Sequence, residues 1–256
     1  MESKQYEIMA TAEDAHWWYL GLRDAMLRCL QHASVNLTDH PTVLDAGCGT
    51  GANLRCLAQA LEPSYLAGFD ISEQAVEHAR RKCPQAQVFI SDICEPKLPR
   101  QGFDLIISCD VLYVPGLAAA RSGLDALVQS LVPGGWLLLH LPAYQWMISA
   151  HDRAVHTRER YVVSHIRGLL DALGLHCRLG SYRVCGLLPL IVLRRLPSII
   201  NKSHSPRASS DLTQPPDWLN RWLLTTLRLE NRLIAHGYRL PWGSSIIALG
   251  QKPTSC

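Results

Sequence analysis

The chain is short of most features that would mark it as secreted, membrane-spanning or nucleic-acid-binding. Charged residues make up 18% of its 256 residues, below the roughly one quarter usual in soluble proteins. With 48% apolar residues, that scarcity does not mean disorder, because there is ample surface to bury a core. No apolar run reaches the ~20 residues that cross a bilayer. The opening Met1-Glu2-Ser3-Lys4-Gln5-Tyr6-Glu7 lacks the basic-then-apolar layout of a signal peptide, so a cytoplasmic protein is expected. There is no Cys-x-x-Cys pair among the nine scattered cysteines, which predicts reduced thiols and no metal site. Internal repeats and low-complexity tracts are missing too. A formal charge of +3 is too small to argue for nucleic acid. Its distribution is uneven: residues 184–242 hold eight Lys/Arg against three Asp/Glu, a charge of +5, and the remainder carries −2.

What the chain does have is alternation. Ala12, Ala15, Trp18, Leu22, Ala25, Met26 and Cys29 recur at helical spacing and predict a helix over 12–33. Short apolar strands are expected at 42–45, 65–70, 87–90, 103–108 and 136–141. Helices are expected between them, including one that Ser72 could cap, with Ala75, Val76 and Ala79 on its buried face, and 117–131, stopped by Pro133-Gly134-Gly135. A helix at 162–173, a strand at 175–183 and a closing strand at 244–250 continue the pattern. This is the signature of a Rossmann-like, doubly wound α/β sheet. About 59 residues, 184–242, are more than such a sheet requires. Within them Val184–Leu196 is apolar, Ser203–Pro216 is polar and Ser/Pro-rich, and Trp218–Ile234 has helical periodicity.

After the first strand come Asp45-Ala46-Gly47-Cys48-Gly49-Thr50-Gly51. Glycines there allow a sharp turn and a close backbone approach to a ligand, just before helix amides that favour an electron-rich group. Gly47 to Ala52 also satisfies the dinucleotide pattern, with Ala at its last position. Asp70 closes the second strand 19 residues beyond Gly51, where a carboxylate can bind both hydroxyls of a ribose; capping of the next helix is the alternative. NAD and S-adenosylmethionine (SAM) both carry such a ribose. Asp45 and Asp92 separate them. A carboxylate at Asp45 would repel a pyrophosphate and suits the ammonium of methionine. Asp92, after the third strand, can accept from an adenine amino group while Ile93 packs on the ring.

With these residues in view, 43–141 resembles the class I SAM-dependent methyltransferases. The resemblance implies a seven-stranded sheet, mostly parallel with an antiparallel last strand, and SAM as cofactor with S-adenosylhomocysteine (SAH) as product. It also implies a pocket lined by the glycine loop with Cys48, by Asp70-Ile71, by Asp92-Ile93 and by Cys109-Asp110-Val111. The expected division is a single domain: an N-terminal helical lid (1–40), a SAM-binding core (41–183), a helical insertion or cap (184–242), and the last strand with its tail (243–256).

Methyl transfer is an in-line displacement, so the protein must mainly align the acceptor and exclude water. Three segments are candidates. His16-Trp17-Trp18-Tyr19, with Arg23 one turn later, is similar to a His-aromatic-aromatic lid helix of bacterial enzymes of this class; packing over the sheet edge is the alternative. The stretch after the fifth strand holds Tyr144, Trp146, Ser149, His151, Asp152, His156, Arg158, Arg160 and Tyr161. It resembles a Pro-Ala-x-x-x-Leu-x-Ser-x-His-Asp and His-x-Arg-Arg-Tyr segment of bacterial methyltransferases, but departs from it at Met147-Ile148 and at Glu159. Here His151 is the expected general base, with Asp152 orienting it and Tyr144 as the third catalytic candidate. His16, Trp17, Tyr19, Trp146, His156, Arg158, Arg160 and Tyr161 are the substrate-binding candidates. The 184–242 insertion reads as a helical cap, a basic amphipathic surface touching membrane or a lipid-linked acceptor, or a dimer face.

The expected function is therefore methylation of an oxygen or nitrogen of a small-molecule or lipid-linked metabolite, of the kind met in natural product biosynthesis, by a monomer or homodimer. A peptide or protein methyltransferase, an NAD-dependent oxidoreductase and a non-enzymatic SAM-binding regulator are the alternatives.

Overall fold

The structure, a computed structural model, describes residues 7, 10–32, 35, 37–148, 152, 157–193 and 215–254. Seven strands form one sheet: β1 (Thr42–Ala46), β2 (Tyr65–Asp70), β3 (Gln87–Ile90), β4 (Phe103–Cys109), β5 (Leu131–Pro142), β6 (His176–Arg183) and β7 (Ser245–Gln251). Their order is β3-β2-β1-β4-β5-β7-β6. The first five strands run parallel, and β7 lies antiparallel between β5 and β6. The doubly wound sheet with its antiparallel last strand is thus present as expected. Around it lie α1 (Trp17–His32), α2 (Ala52–Leu61), α3 (Glu73–Lys82), α4 (Arg121–Ser130), α5 (Val163–Ala172) and α6 (Asp217–Ala235).

Helices on both faces explain why the strands read as nearly unbroken apolar runs. Alternate residues serve opposite cores. Val43, Leu105, Ile107, Leu138 and Ile247 join one cluster with Leu22 and Met26 of α1 and Leu54 of α2. Leu44, Ile106, Leu137, Leu139 and Ala248 join the other with Leu124 of α4 and Ile166 of α5. A shift of one residue in any strand would exchange the two sets.

Local departures from the sequence reading have identifiable causes. The first helix does not run from 12; a turn at 13–15 breaks it and α1 starts at Trp17. Asn220 of α6 supplies the cap, accepting from the Trp17 amide and donating to the Ala15 carbonyl, both at 2.9 Å. The helix after β4 starts at Arg121 and not at 117, because the Leu117 amide donates to the Glu159 carboxylate at 3.1 Å instead of entering a helix. β5 begins at Leu131, five residues early, with a register irregularity opposite Phe103–Leu105. Ser72 does cap α3, accepting from the Ala75 amide.

The insertion's helix α6 packs along α1. Leu223 and Leu227 form a third apolar cluster with Val184 and Leu187, against which Trp17, Trp18 and Ile191 pack. Gly21 of α1 faces Leu227 so closely that any side chain there would collide with it. α1 and α6 are therefore packed as one helical pair. Among the described residues no helix is long and apolar enough to cross a membrane.

Candidate active site

A cavity of about 740 Å³ opens at the carboxyl ends of the parallel strands, roofed by α1. This is where open α/β sheets bind ligands. Its floor is the glycine loop. Gly47 and Cys48 both donate their amides to the Phe69 carbonyl at 2.8 Å, which folds the loop against β2. Gly47, Gly49 and Gly51 have φ of 83°, 52° and 89°, the left-handed region that glycine enters without strain. At Gly51 a Cβ would lie 2.7 Å from the Ala79 Cα, so this glycine sets how closely α2 approaches α3.

Asp70 stands at the end of β2. One carboxylate oxygen accepts from the Gly49 amide and the other from the Ser72 amide, each at 3.0 Å. Burial pushes its pKa up, and these backbone donors pull it back. Asp92 lines the same wall, its carboxylate accepting from the Cys94 amide at 2.8 Å. Beside it Ile93 is buried, while Ile71 is largely exposed across the opening. Cys109 and Asp110 continue the wall from β4. Asp110 takes φ of 56° and donates its amide to the His140 carbonyl at 3.0 Å.

Asp45 differs from the reading of the sequence. It does not line the cavity; it lies fully buried behind the glycine loop, and among the described residues neither carboxylate oxygen has a hydrogen-bond partner. Burial, reinforced by the nearby Asp70 charge, pushes its pKa up to about 8. Without a cation beside it, the carboxyl is protonated at neutral pH.

The roof comes from α1 and the turn before it. His16, Trp17, Trp18, Tyr19 and Arg23 all reach the cavity. His16 is buried, which lowers its pKa. Its Nδ1 accepts from the Trp18 amide at 3.3 Å, which leaves the proton on Nε2. Burial, then the charges of Glu13 and Asp110, raises the pKa of Tyr19. Arg23 donates to the Glu13 carbonyl at 2.6 Å.

The segment after β5 divides. Asp152, Arg158 and Arg160 line the cavity. Asp152 and Arg160 form a buried ion pair at 3.0 Å, and Arg160 also donates to the Ala143 carbonyl at 2.6 Å. Arg158 is exposed in the wall. Tyr144, Trp146 and Tyr161 lie outside the lining. The Tyr144 ring stacks between Tyr182 and Trp146, with centroids 5.0 and 5.8 Å away. Tyr161 is buried in the core, donating to the Leu112 carbonyl and to Glu159. Glu159, where the sequence departed from its resemblance, is thus an internal acceptor for Tyr161 and Leu117. His151 and His156 fall outside the described residues. Sequence reasoning missed Tyr113 in the turn after β4, Ile191 in a helical segment, and Ser244 and Ser245 at the start of β7, all of which line the wall. It also missed His140, a polar residue inside the run Leu137-Leu138-Leu139-His140-Leu141. That irregularity was the available signal.

Residues 43–135 match the family described as Methyltransferase domain. Over these residues the chain carries a methyltransferase domain of the class I SAM-dependent type. Trans-aconitate 2-methyltransferase of Variovorax paradoxus is 33% identical over 111 residues, 43% of this chain and 42% of that relative. The chain thus spans less than half the length of the curated relatives it matches. Among solved structures, the N-methyltransferase NodS from Bradyrhizobium japonicum aligns with a TM-score of 0.53 at 16% identity, covering 90% of this chain and 85% of NodS. A TehB-like SAM-dependent methyltransferase from Corynebacterium glutamicum gives 0.51 at 15%, covering 90% and 87%. At such identities these two relate the fold of the methyltransferase and nothing finer.

Proposed function

We propose that this methyltransferase moves the methyl group of SAM to an oxygen or nitrogen of a small-molecule or lipid-linked acceptor. The observation that carries the reading is the single cavity running from Asp70 and Asp92 to Arg158 under the α1 roof. Its volume falls in the range of small-ligand sites. The residues fit SAM: Asp70 would take the ribose hydroxyls, Asp92 the adenine amino group, and Ile71 and Ile93 the faces of the ring. Bound SAM supplies a methyl group already activated on a sulfonium. What this chain adds is alignment and exclusion of water, through Trp17, Trp18 and Tyr19 above and Asp110 to the side.

For the acceptor we infer a carboxylate-bearing metabolite. Trans-aconitate, named in the relative above, is a polyanion, and Arg158 offers a guanidinium in the wall to such a group. His151, next to Asp152, is the proposed general base for a hydroxyl acceptor. A lipid-linked acceptor is favoured by one further feature, the exposed outer face of α6, where Trp218, Trp222, Leu229 and Leu233 run beside Arg221, Arg228 and Arg232.

Calorimetry with SAM, SAH and NAD tests the cofactor, and transfer of labelled methyl from SAM to a panel of carboxylic acids and amines tests the acceptor. SAM and SAH should bind and NAD should not; the reverse order would end the proposal. His151→Ala should lower turnover by roughly 10²–10⁴-fold with SAM affinity unchanged. Unchanged turnover would remove His151 from the mechanism.

A further inference from the structure

The cavity wall is connected to the α1–α6 pair by a line of buried polar groups. Asp110, in the wall, meets Nδ1 of His140 at 3.0 Å. The Nε2 of His140 meets Nη1 of Arg183 at 3.1 Å. Arg183 donates through Nε to the Asn231 side-chain carbonyl of α6 at 3.1 Å. The Asn231 amide then donates to the Gly21 carbonyl and the Asp24 carboxylate of α1, at 2.9 and 2.8 Å. His140, Arg183 and Asn231 are all fully buried. The Arg183 guanidinium also lies 5.7 Å over the Trp18 ring, which meets His140 edge-on at 6.2 Å.

A buried guanidinium with no carboxylate in direct contact costs several kcal/mol unless something compensates it. Here the charge is compensated without direct contact, by Asp110 through His140, by the nearby Glu230, and by Asp24 through Asn231, while Nη2 has no hydrogen-bond partner among the described residues. The donor inventory fixes the direction of the chain. Arginine only donates, so Nε2 of His140 must accept and Nδ1 must carry the proton that it gives to Asp110. Arg183 thereby sets the tautomer, and the tautomer fixes the Asp110 carboxylate.

We propose that His140 and Arg183 are positioning residues that hold Asp110 toward the cofactor wall and couple its placement to the seating of α1, which carries Trp17, Trp18 and Tyr19. A hydrophobic residue at 140 would suit its apolar strand, but it would leave Nη1 of the buried Arg183 without an acceptor. The inference rests on the reading that this cavity binds SAM.

The test uses the intact chain, SAH as probe, and the ring nitrogens of ¹⁵N-histidine-labelled protein at pH 7.5. One histidine should show the Nδ1–H tautomer, and His140→Asn should remove its signals. His140→Leu should weaken SAH binding about tenfold, the scale of one hydrogen bond to a charged group. His140→Asn should stay within about threefold of the wild type, because its amide can still donate to Asp110. Asn231→Ala, outside the cavity, should weaken SAH in the wild-type background and add nothing in His140→Leu. An Nε2–H tautomer, or equal losses in the Leu and Asn variants, would overturn the proposal. Should His140→Leu not fold, Asn231→Ala decides, and unchanged SAH affinity there overturns the coupling. A wild type that binds no SAH would remove the cofactor reading instead, and the ring tautomer would then decide the positioning claim.

Discussion

Asp70 and Gly49 are joined by a 3.0 Å hydrogen bond from the Gly49 amide to the Asp70 carboxylate. The acid that would hold the ribose therefore also shapes the glycine loop beneath it. Asp70→Ala should lose both interactions. Hydrogen bonds to a charged group are worth about 1.5–3 kcal/mol, so SAH affinity should fall roughly 10- to 100-fold in calorimetry, with a lowered melting temperature. Asp70→Asn should fall between. Undiminished SAH binding in both would place the ribose elsewhere.

Asp45 gives a pH signature. Its folded pKa of about 8 lies above the ordinary carboxyl value, so between about pH 4 and pH 8 the folded chain holds a proton that the unfolded chain has lost. Stability must therefore fall as pH rises through this window. Asp45→Asn cannot ionise and should escape the loss. Melting curves from pH 5 to 9 should show the variant's lead over the wild type growing with pH up to about pH 8 and levelling above it. A constant difference across the range would mean that Asp45 is already ionised in the folded state.

The two acids show what the sequence could and could not disclose. Asp70 was legible because strand end, glycine spacing and ribose chemistry coincide within one βαβ unit. The seven strands were legible for the same reason, each being a local apolar run between turn residues. Asp45 was legible as a residue of the cofactor turn but not as a buried one, because its place behind the loop depends on how Gly47 and Cys48 fold onto Phe69. Tyr144, Trp146 and Tyr161 sit in the segment expected to line the cavity, but stacking on Tyr182 and burial against Leu112 turn them away from it. The start of α1 and the Asp110–His140–Arg183–Asn231 line rest on contacts between segments far apart in the chain, and no local pattern encodes them.

Arg158 and Arg160 are two residues apart and should behave oppositely. Arg160 and Asp152 are both nearly fully buried, and removing one member of a buried pair typically costs about 3–5 kcal/mol. Arg160→Ala should therefore lower denaturant stability by several kcal/mol. Arg158→Ala should leave stability within about 0.5 kcal/mol while raising KM for an anionic acceptor with SAM affinity unchanged. An Arg158 variant that lost stability instead would show it to be structural.

Asn220 bridges the lid to the cap by bonding both Trp17 and Ala15. Caps of this kind contribute about 1 kcal/mol. Asn220→Ala should destabilise by about 1–2 kcal/mol, and hydrogen exchange should rise first at the amides of residues 17–20. Asn220→Asp keeps the acceptor for the Trp17 amide and should recover part of the loss. Faster exchange spread evenly over the molecule would instead indicate general loosening.

The outer face of α6 tests the lipid-linked form of the acceptor. Trp218, Trp222, Leu229 and Leu233 share one exposed stripe of this 19-residue helix, with Arg221, Arg228 and Arg232 on the adjoining one. That arrangement suits the interface of an anionic bilayer, where tryptophan sits at headgroup depth and each cation near the surface contributes about 1 kcal/mol. The protein should therefore sediment with vesicles containing anionic phospholipid and not with purely zwitterionic ones, and high salt should release it. Trp222→Glu with Leu229→Glu should abolish sedimentation and leave SAH affinity unchanged, since neither residue lines the cavity. If vesicles are ignored while analytical ultracentrifugation reports a dimer that the same double variant dissociates, the stripe is a subunit interface and the acceptor need not be a lipid.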